Sequence, residues 1–192
     1  MGDLISVLID NRDELLAGFW VTVRLVAFSF VIAMVVGTLV AALRIAPNTL
    51  LQRLGGVYVE TFRNVPLLVL LVIAFAGLRR AGVEIGAWTA GIGSLGLYTA
   101  AYVAEVLRSG VFSVNKGQIE AARSLGYTYI QTLRRVVFPQ AFRTVISPLG
   151  SLIIAMIKNS AIIGVSLLAL DDLLKTARTV GSRGFEYTEA FF

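Results

Sequence analysis

The sequence predicts an all-α membrane protein, and three observations carry that prediction. Of the 192 residues, 57% are hydrophobic and only 15% are charged, with a mean hydropathy of +0.80. Soluble domains contain about 45–50% apolar and about 25% charged residues. The apolar residues cluster into segments long enough to cross about 30 Å of hydrocarbon. Most of the Lys and Arg residues lie in two connections between these segments, as in membrane proteins that keep positive charge inside.

Four apolar segments are expected to form membrane-spanning helices. They are residues 15–43, 65–78, 86–107 and 145–170. The second has only 14 residues, so its helix should begin within the preceding 57–62 stretch. Pro66 should kink or restart that helix, because proline cannot donate a backbone hydrogen bond.

The charge distribution predicts which side of the membrane each connection faces. The 44–63 connection carries three arginines, and the 108–143 connection carries six basic residues against one acid, Glu120. The positive-inside rule therefore places both connections in the cytoplasm and the N-terminus outside.

Several chemistries are excluded by what the sequence lacks. The chain has no Cys and no His, which removes thiolate nucleophiles, histidine acid–base chemistry and the usual zinc and haem sites, so no metal site is expected. It contains no G-x-x-x-x-G-K-[ST] phosphate-binding loop, so it should not hydrolyse ATP. Residues 91–96 fit G-x-G-x-x-G, but they lie inside a membrane segment. Small residues there indicate close helix packing rather than a dinucleotide site.

The 120–141 stretch is a charged, amphipathic insert between two apolar segments. Its apolar residues recur at steps of three and four, which is typical of a helix. Gly126 within it and Pro139 after the apolar stretch are breakers, so we expect two short helices bent near Gly126. Spacing alone leaves two interpretations equal: a helix lying on anionic lipid, or a helix that binds a protein partner.

The same stretch resembles a known family motif. Glu120-Ala121-Ala122, then Gly126, then Pro139, are similar to the EAA loop in transmembrane subunits of ABC importers. The resemblance extends from about Phe19 to Leu174 and includes further segments: 60–68 (ETFRNVPLL), 98–110 (YTAAYVAEVLRSG), 116–122 (KGQIEAA), 148–150 (PLG) and 158–160 (KNS). These are most similar to permeases of polar amino acids. A narrower resemblance, to glutamate-type permeases of actinobacteria, rests on 19–22 (FWVT), 63–64 (RN) and 108–110 (RSG).

The resemblance implies a type I importer bundle formed by one permease domain over residues 1–192. Residues 116–141 would be its cytoplasmic coupling loop, which docks on a separate ATPase subunit. The coupling residues it implies are Gly117, Glu120, Ala121, Ala122, Leu125, Gly126 and Pro139. ATP and Mg²⁺ would be bound by that ATPase, so this chain should be neither an enzyme nor a cofactor carrier. The resemblance also implies a second permease subunit, an extracytoplasmic solute-binding protein and a bacterial plasma membrane, with no role for nucleic acid.

Polar residues within the apolar segments are candidates for the substrate path, because charge is costly there and usually functional. The candidates are Lys158, Asn159, Ser160, Tyr98 and Tyr102. Lys158 lies near the middle of the fourth segment. Together, Lys158, Asn159 and Ser160 are expected to break the helix there and to offer hydrogen-bond donors to a substrate carboxylate. Structural roles are the alternative for each. Arg63, Asn64 and Pro66 are expected to shape an inner gate or anchor the second span. Glu105 and Arg108 are expected to form a simple interfacial pair.

The resemblance implies an ATP-driven importer of polar amino acids such as glutamate, aspartate or glutamine. Two other classes stay open: a lipid-anchored helical scaffold with a basic partner-binding loop, and half of a secondary transporter. The sequence leaves open which amino acid is carried and whether the second permease is a copy of this chain. Residues 171–180 are expected to form an outer helix. The fifth span of the family would begin at 184–192, where the sequence stops, so we expect four spans and a fifth cut short, with transport competence undecided.

Overall fold

The structure of the protein is a computed structural model that describes residues 7, 9–166, 168 and 170–184. In that part of the chain every regular element is a helix, which confirms the all-α prediction there. In chain order the helices are α1 (Arg12–Ile45), α2 (Thr49–Asn64), α3 (Leu67–Arg80), α4 (Ala87–Phe112), α5 (Lys116–Ser124), α6 (Tyr129–Gly164) and α7 (Leu173–Gly184). One π-helical turn lies within α3, at Ile73–Gly77, and another within α6, at Leu133–Val137.

Proline, asparagine and glycine mark the breaks between the first helices. Pro47 follows α1, and the Asn48 side chain caps α2 by accepting a hydrogen bond from the Leu50 N–H at 2.8 Å. The break between α2 and α3 falls at Pro66, as predicted, since proline supplies no N–H. Between α3 and α4, Gly82 has a φ of +85°, a left-handed conformation that favours glycine.

Length and composition mark α1, α4 and α6 as helices that can span a membrane. α2 and α3 satisfy the same criteria only when taken together, as either a broken span or a re-entrant loop. This helix pair begins at Thr49, upstream of the predicted start within 57–62. The expected beginning of a fifth span at 184–192 lies, from residue 185 onward, outside the described residues.

The fourth span ends earlier than predicted. The apolar run extends to Leu170, but α6 ends at Gly164. A Cβ atom at position 164 would overlap the Asp172 carboxylate, so only glycine fits where the chain leaves α6. Asp172 in turn caps α7, because its Oδ1 accepts a hydrogen bond from the Lys175 N–H at 2.9 Å. The start of this capped helix explains why α6 does not continue. It also confirms a helix close to the predicted 171–180.

The chain packs as two compact units. The first contains Met1–Val31, Val65–Gly96 and Ala155–Phe192. Within its described residues, the Ser29 hydroxyl donates to the Ile92 carbonyl at 3.2 Å and joins α1 to α4. Gly91 lies against Ile163, where an added Cβ would come 3.2 Å from a side-chain carbon. The close approach at Gly91 agrees with the helix-packing interpretation of residues 91–96.

The second compact unit contains Ile32–Asn64 and Leu97–Ile154. A buried cluster of small and branched side chains joins α1, α2 and α4: Val40, Ala41, Val59 and Ala104. The Tyr58 hydroxyl donates to the Leu97 carbonyl at 2.8 Å, which fixes α2 against α4. Gly110 brings the end of α4 against α6, because a Cβ there would overlap the Val145 side chain. Helix α5 belongs to this second unit, in which α1, α2, α4 and α6 pack closely.

Candidate functional site

Helix α5 has an N-terminus fixed by its own sequence. The Asn115 side chain accepts a hydrogen bond from the Gly117 N–H at 2.8 Å and so caps the helix. Gly117 lies close beneath this cap, since a Cβ at that position would be 3.2 Å from the Asn115 Oδ1. Within the helix, the Ser124 hydroxyl donates to the Glu120 carbonyl at 3.0 Å. The candidate residue Gly117 therefore belongs to a capped helix start.

The C-terminus of α5 forms a Schellman turn at Gly126. The Gly126 N–H donates to the Arg123 carbonyl at 2.9 Å, and the Tyr127 N–H donates to the Ala122 carbonyl at 3.1 Å. Gly126 has a φ of +82°, a conformation that a β-carbon would strain. The predicted bend near Gly126 is confirmed, and its backbone geometry explains why glycine occupies this position.

A capping box begins α6 immediately after this turn. The Thr128 hydroxyl accepts from the Gln131 N–H at 3.3 Å, and the Gln131 side chain accepts from the Thr128 N–H at 2.9 Å. Only three residues separate Ser124, the last residue of α5, from Thr128. Two adjacent capped helix ends make this connection a defined turn.

Helix α5 is fixed against α6 by a polar and an apolar contact. The Gln140 amide donates to the Gln118 side-chain oxygen. Beside this bond lies a buried apolar cluster of Val114, Val137 and Ala141, with Ile119 and Leu133 packed against it. These contacts hold α5 in one orientation relative to the fourth span.

The orientation of α5 divides the predicted coupling residues into two groups. Ala122 is only 5% exposed and faces the protein. Glu120 and Ala121 are exposed, and Leu125 is 78% exposed although it is apolar. The outward group therefore presents an acid and a small residue on α5, and a large apolar residue at its C-cap.

Pro139 does not end a helix, contrary to the sequence prediction. It lies within α6, two residues after the end of the π-helical turn at Leu133–Val137. In that turn the Phe138 N–H donates to the Leu133 carbonyl five residues earlier. The wider turn accommodates a residue that cannot donate an N–H, so the helix continues through Pro139. The second of the two predicted short helices is thus continuous with the helix of the fourth apolar segment, and together they form α6.

One candidate gate residue and two candidate path residues lie together in the second compact unit. The Arg63 guanidinium lies over the Tyr102 ring, 5.4 Å from its centroid. The hydroxyls of Tyr102 and Tyr98 are 3.0 Å apart and share a hydrogen bond. Arg63 is exposed and forms no ion pair with another described residue. The structure thus brings the predicted gate residue Arg63 to the two predicted path tyrosines.

Asn64 and Pro66 lie at the break between α2 and α3. The Asn64 side chain donates to the Glu60 carbonyl at 2.7 Å, within the last turn of α2. Pro66 precedes the first residue of α3 and accepts hydrogen bonds through its carbonyl from the Val69 and Leu70 N–H groups. Both residues therefore have a local role at the helix ends.

Lys158, Asn159 and Ser160 do not break the fourth span, contrary to the sequence prediction. All three are helical, and α6 continues for four residues beyond Ser160. The Ser160 hydroxyl donates to the Ile157 carbonyl at 2.7 Å, so its polarity is satisfied within the helix. Lys158 is exposed rather than enclosed and lies six residues before the end of α6. Asn159 is partly buried.

A cluster of charges at the ends of α1 and α4 is larger than the pair that the sequence predicts. Arg108 Nη2 lies 2.8 Å from Glu105 Oε1, which confirms the predicted pair. Arg44 also donates a hydrogen bond to Glu105, and the other carboxylate oxygen, Oε2, accepts it. Arg44 and Glu105 are 61 residues apart, so no local pattern relates them. The sequence indicated only that both residues lie near the same, cytoplasmic side of the membrane, as predicted from the charge distribution.

The fold is that of an all-helical protein with helices long and apolar enough to span a membrane. Residues 20–183 match the family described as the binding-protein-dependent transport system inner membrane component. The chain belongs to this family.

Curated relatives carry amino-acid transport names. The chain is 41% identical over 178 residues to the probable glutamine ABC transporter permease protein GlnM of Bacillus subtilis, covering 93% of this chain and 82% of that protein. It is 43% identical over 168 residues to the glutamate transport system permease protein GluC of Corynebacterium glutamicum, covering 81% and 74%. These relatives agree with the resemblance to polar amino-acid permeases.

Solved structures share the architecture. A chain in the crystal structure of an amino acid ABC transporter with histidines has a TM-score of 0.88 and 33% identity, over 96% of this chain and 85% of that one. A chain of the MetNI methionine ABC transporter, in an inward-facing conformation, has a TM-score of 0.69 and 27% identity, over 99% and 87%. The all-helical structure is therefore consistent with a type I ABC importer permease.

Proposed function

We propose that this chain is the transmembrane subunit of an ATP-driven importer of polar amino acids. It forms part of the translocation path and is itself non-catalytic, while a separate cytoplasmic ATPase subunit binds ATP and Mg²⁺. The segment 116–141 transmits movement between the two subunits. In this proposal four spans cross the plasma membrane, with the N-terminus outside and α5 in the cytoplasm. A second permease subunit and an extracytoplasmic binding protein complete the system.

The outward face of α5 is the observation that carries this proposal. Leu125 is 78% exposed in a segment that the charge pattern predicts to be cytoplasmic, where an apolar side chain gains by burial against a partner. Ala121 beside it allows a close approach. A contact that transmits displacement needs a rigid helix, and the caps at Asn115 and Gly126 support that rigidity. A lipid-lying helix would not need this fixation against α6.

Glutamate or glutamine is the substrate class that the relatives' names favour. Arg63 with the Tyr98 and Tyr102 hydroxyls supports a carboxylate-bearing substrate, because an exposed guanidinium without an acidic partner can bind a carboxylate through two hydrogen bonds. Lys158, exposed on α6, remains a candidate for a substrate path on the sequence argument. Asn159 and Ser160 remain candidates for the substrate path only because they follow Lys158 in the sequence.

Co-purification with the ATPase tests the coupling role. In the full transporter, Ala121→Trp and Gly126→Asp should abolish co-purification of the ATPase while membrane insertion of this chain persists. The control is Val83→Trp, at a residue that is 51% exposed in the turn between α3 and α4. Under the proposed topology Val83 lies outside the cell, so this variant should retain the ATPase. Undiminished ATPase recovery with both α5 variants would sink the proposal.

Membership of the family favours this function over the two other classes. A lipid-anchored scaffold would tolerate Ala121→Trp, since lipid adapts to an added side chain. Half of a secondary transporter would support amino-acid flux in vesicles that lack both ATP and the ATPase. We expect no such flux, and its appearance would favour the secondary transporter.

A further inference from the structure

An open apolar groove of about 510 Å³ lies in the second compact unit, where the ends of α1 and α4 meet the start of α6. Its volume is within the range of about 300–1,000 Å³ found for small-ligand pockets. The groove is lined by Thr38, Ala41, Ala42, Ile45, Leu107 and Phe142, with further apolar residues of α6. Its only polar side chains are those of Thr38 and Tyr129. Such a surface fits a hydrocarbon chain rather than a polar solute.

A basic hollow lies on the neighbouring face of α6. Tyr129 and Leu133 line the groove, whereas Ile130 and Arg134, each one residue further on, line the hollow together with Gln131 and Arg135. One helix therefore carries an apolar surface and a cationic surface side by side. A ligand that uses both surfaces has an apolar chain and an anionic group.

The charge around the groove is strongly positive. The second compact unit contains nine Lys and Arg residues against three Asp and Glu residues. Arg134 and Arg143 are both exposed, and neither forms an ion pair within the described part of the chain. Arg143 follows the groove residue Phe142. Two cations next to an apolar groove are thus available to an anionic ligand.

We propose that this groove binds one acyl chain of an anionic phospholipid, and that Arg134 and Arg143 bind its head group. Basic sites between the cytoplasmic ends of membrane helices commonly hold anionic lipid head groups, and the cytoplasmic leaflet is rich in such lipids. The inference takes from the proposed function only the side of the membrane on which α5 lies. It requires no ATPase and no transport.

Tryptophan quenching by brominated lipids tests the site directly. The chain has two tryptophans, Trp20 and Trp88, which are replaced by phenylalanine. A single probe is then introduced in the groove as Phe142→Trp. The control probe is Leu39→Trp, at a residue that is 62% exposed on α1 but does not line the groove. Each full-length variant is placed in nanodiscs with a minor fraction of brominated phosphatidylglycerol or brominated phosphatidylcholine.

We expect phosphatidylglycerol to associate with the groove probe about fivefold more strongly than phosphatidylcholine. This ratio corresponds to the free energy of about 1 kcal/mol that one Lys or Arg contributes near an anionic surface. The two lipids should quench Leu39→Trp equally. Adding Arg134→Gln to the groove probe should bring its preference towards equality. Equal quenching at the groove probe, or the same preference at both probes, would overturn the proposal.

Native mass spectrometry of the unsubstituted chain provides a second readout that needs no probe. Released from mixed-lipid nanodiscs, the chain should retain phosphatidylglycerol in preference to phosphatidylcholine, and Ala42→Phe should reduce this retention by filling the groove. Leu39→Phe is the matched control and should retain the lipid. Retention of both lipids in equal amounts, or retention unaffected by Ala42→Phe, would contradict an acyl chain in the groove.

Discussion

Arg63 has a contact in the structure that the sequence does not predict. The sequence predicts a gate residue or a helix anchor, because Arg63 precedes the second apolar segment. In the structure its guanidinium lies over Tyr102, and Tyr102 is hydrogen-bonded to Tyr98. Arg63 is 39 residues from Tyr102 in the sequence, so no local periodicity relates them. The side chain of its neighbour Asn64 instead bonds within its own helix, to the Glu60 carbonyl.

Replacing Arg63 tests whether it binds the carboxylate of the substrate. In the reconstituted transporter, Arg63→Gln should lower uptake at subsaturating substrate about tenfold or more, since hydrogen bonds to charged groups contribute about 1.5–3 kcal/mol. Arg53→Gln changes an exposed arginine on the same helix and should leave uptake near the unsubstituted rate. The measurement is initial-rate uptake of labelled glutamate and glutamine. Equal losses in the two variants would argue against a binding role for Arg63.

Asp172 is a buried helix cap outside the spans, and its surroundings predict a pH dependence of stability. Burial raises the pKa of this carboxyl, although the Lys175 N–H and the positive charges of Lys175 and Arg178 oppose the shift. Because the pKa is raised on folding, the protonated form is favoured in the folded protein. The resulting stabilisation is complete below the ordinary Asp pKa of about 3.9 and is lost as the pH rises through the folded value.

Asp172→Asn should remove this part of the pH dependence, because asparagine keeps the cap but carries no charge. Thermal unfolding in detergent across the acidic range measures the slope. Asp172→Leu is the comparison: it carries no charge either but also removes the cap, so we expect its free energy of unfolding to lie about 1 kcal/mol below that of Asp172→Asn at every pH. An unchanged slope in Asp172→Asn would show that this carboxyl does not titrate as its burial predicts.

At the scale of elements, the connection between α5 and α6 was partly predictable. Helical spacing and Gly126 gave the helix and its bend, because both signals lie within a few residues. The continuation of α6 through Pro139 was missed, since it depends on the π-helical turn before the proline. The same limit applies to Lys158. A Lys-Asn-Ser run reads as a helix breaker, whereas in the structure Ser160 bonds to its own helix and Lys158 is exposed.

Gly110 provides the test of how closely α4 must approach α6. A Cβ at this position would overlap Val145, so Gly110→Ala should lower the free energy of unfolding by about 1–3 kcal/mol. Gly150→Ala in α6 is the matched control, because no atom lies within 4 Å of the added carbon. Alanine should be neutral or slightly stabilising there, since glycine is a poor helix former. Thermal unfolding of the two variants in one detergent distinguishes them, and equal melting temperatures would contradict the close approach.

For the whole molecule, fold class and family followed from the sequence because composition, charge topology and the 116–141 motif are all readable locally. Long-range geometry was not readable. The link between Arg44 and Glu105, and the groove where three helices meet, each join residues that are distant in the chain. The end of the fourth span was misplaced for the same reason, because it depends on Asp172 occupying the space beside Gly164.

Site-specific cross-linking from α5 tests the central claim most directly, and the absence of cysteine from the chain makes it clean. Leu125→Cys places a unique thiol at the exposed C-cap of α5, and Val83→Cys places one in the turn between α3 and α4. With a short thiol-to-amine cross-linker on intact membranes, Leu125→Cys should give a product that mass spectrometry identifies as this chain joined to a phosphate-loop ATPase. Val83→Cys should give no such product. A product from both positions, or from neither, would contradict docking of the ATPase on α5.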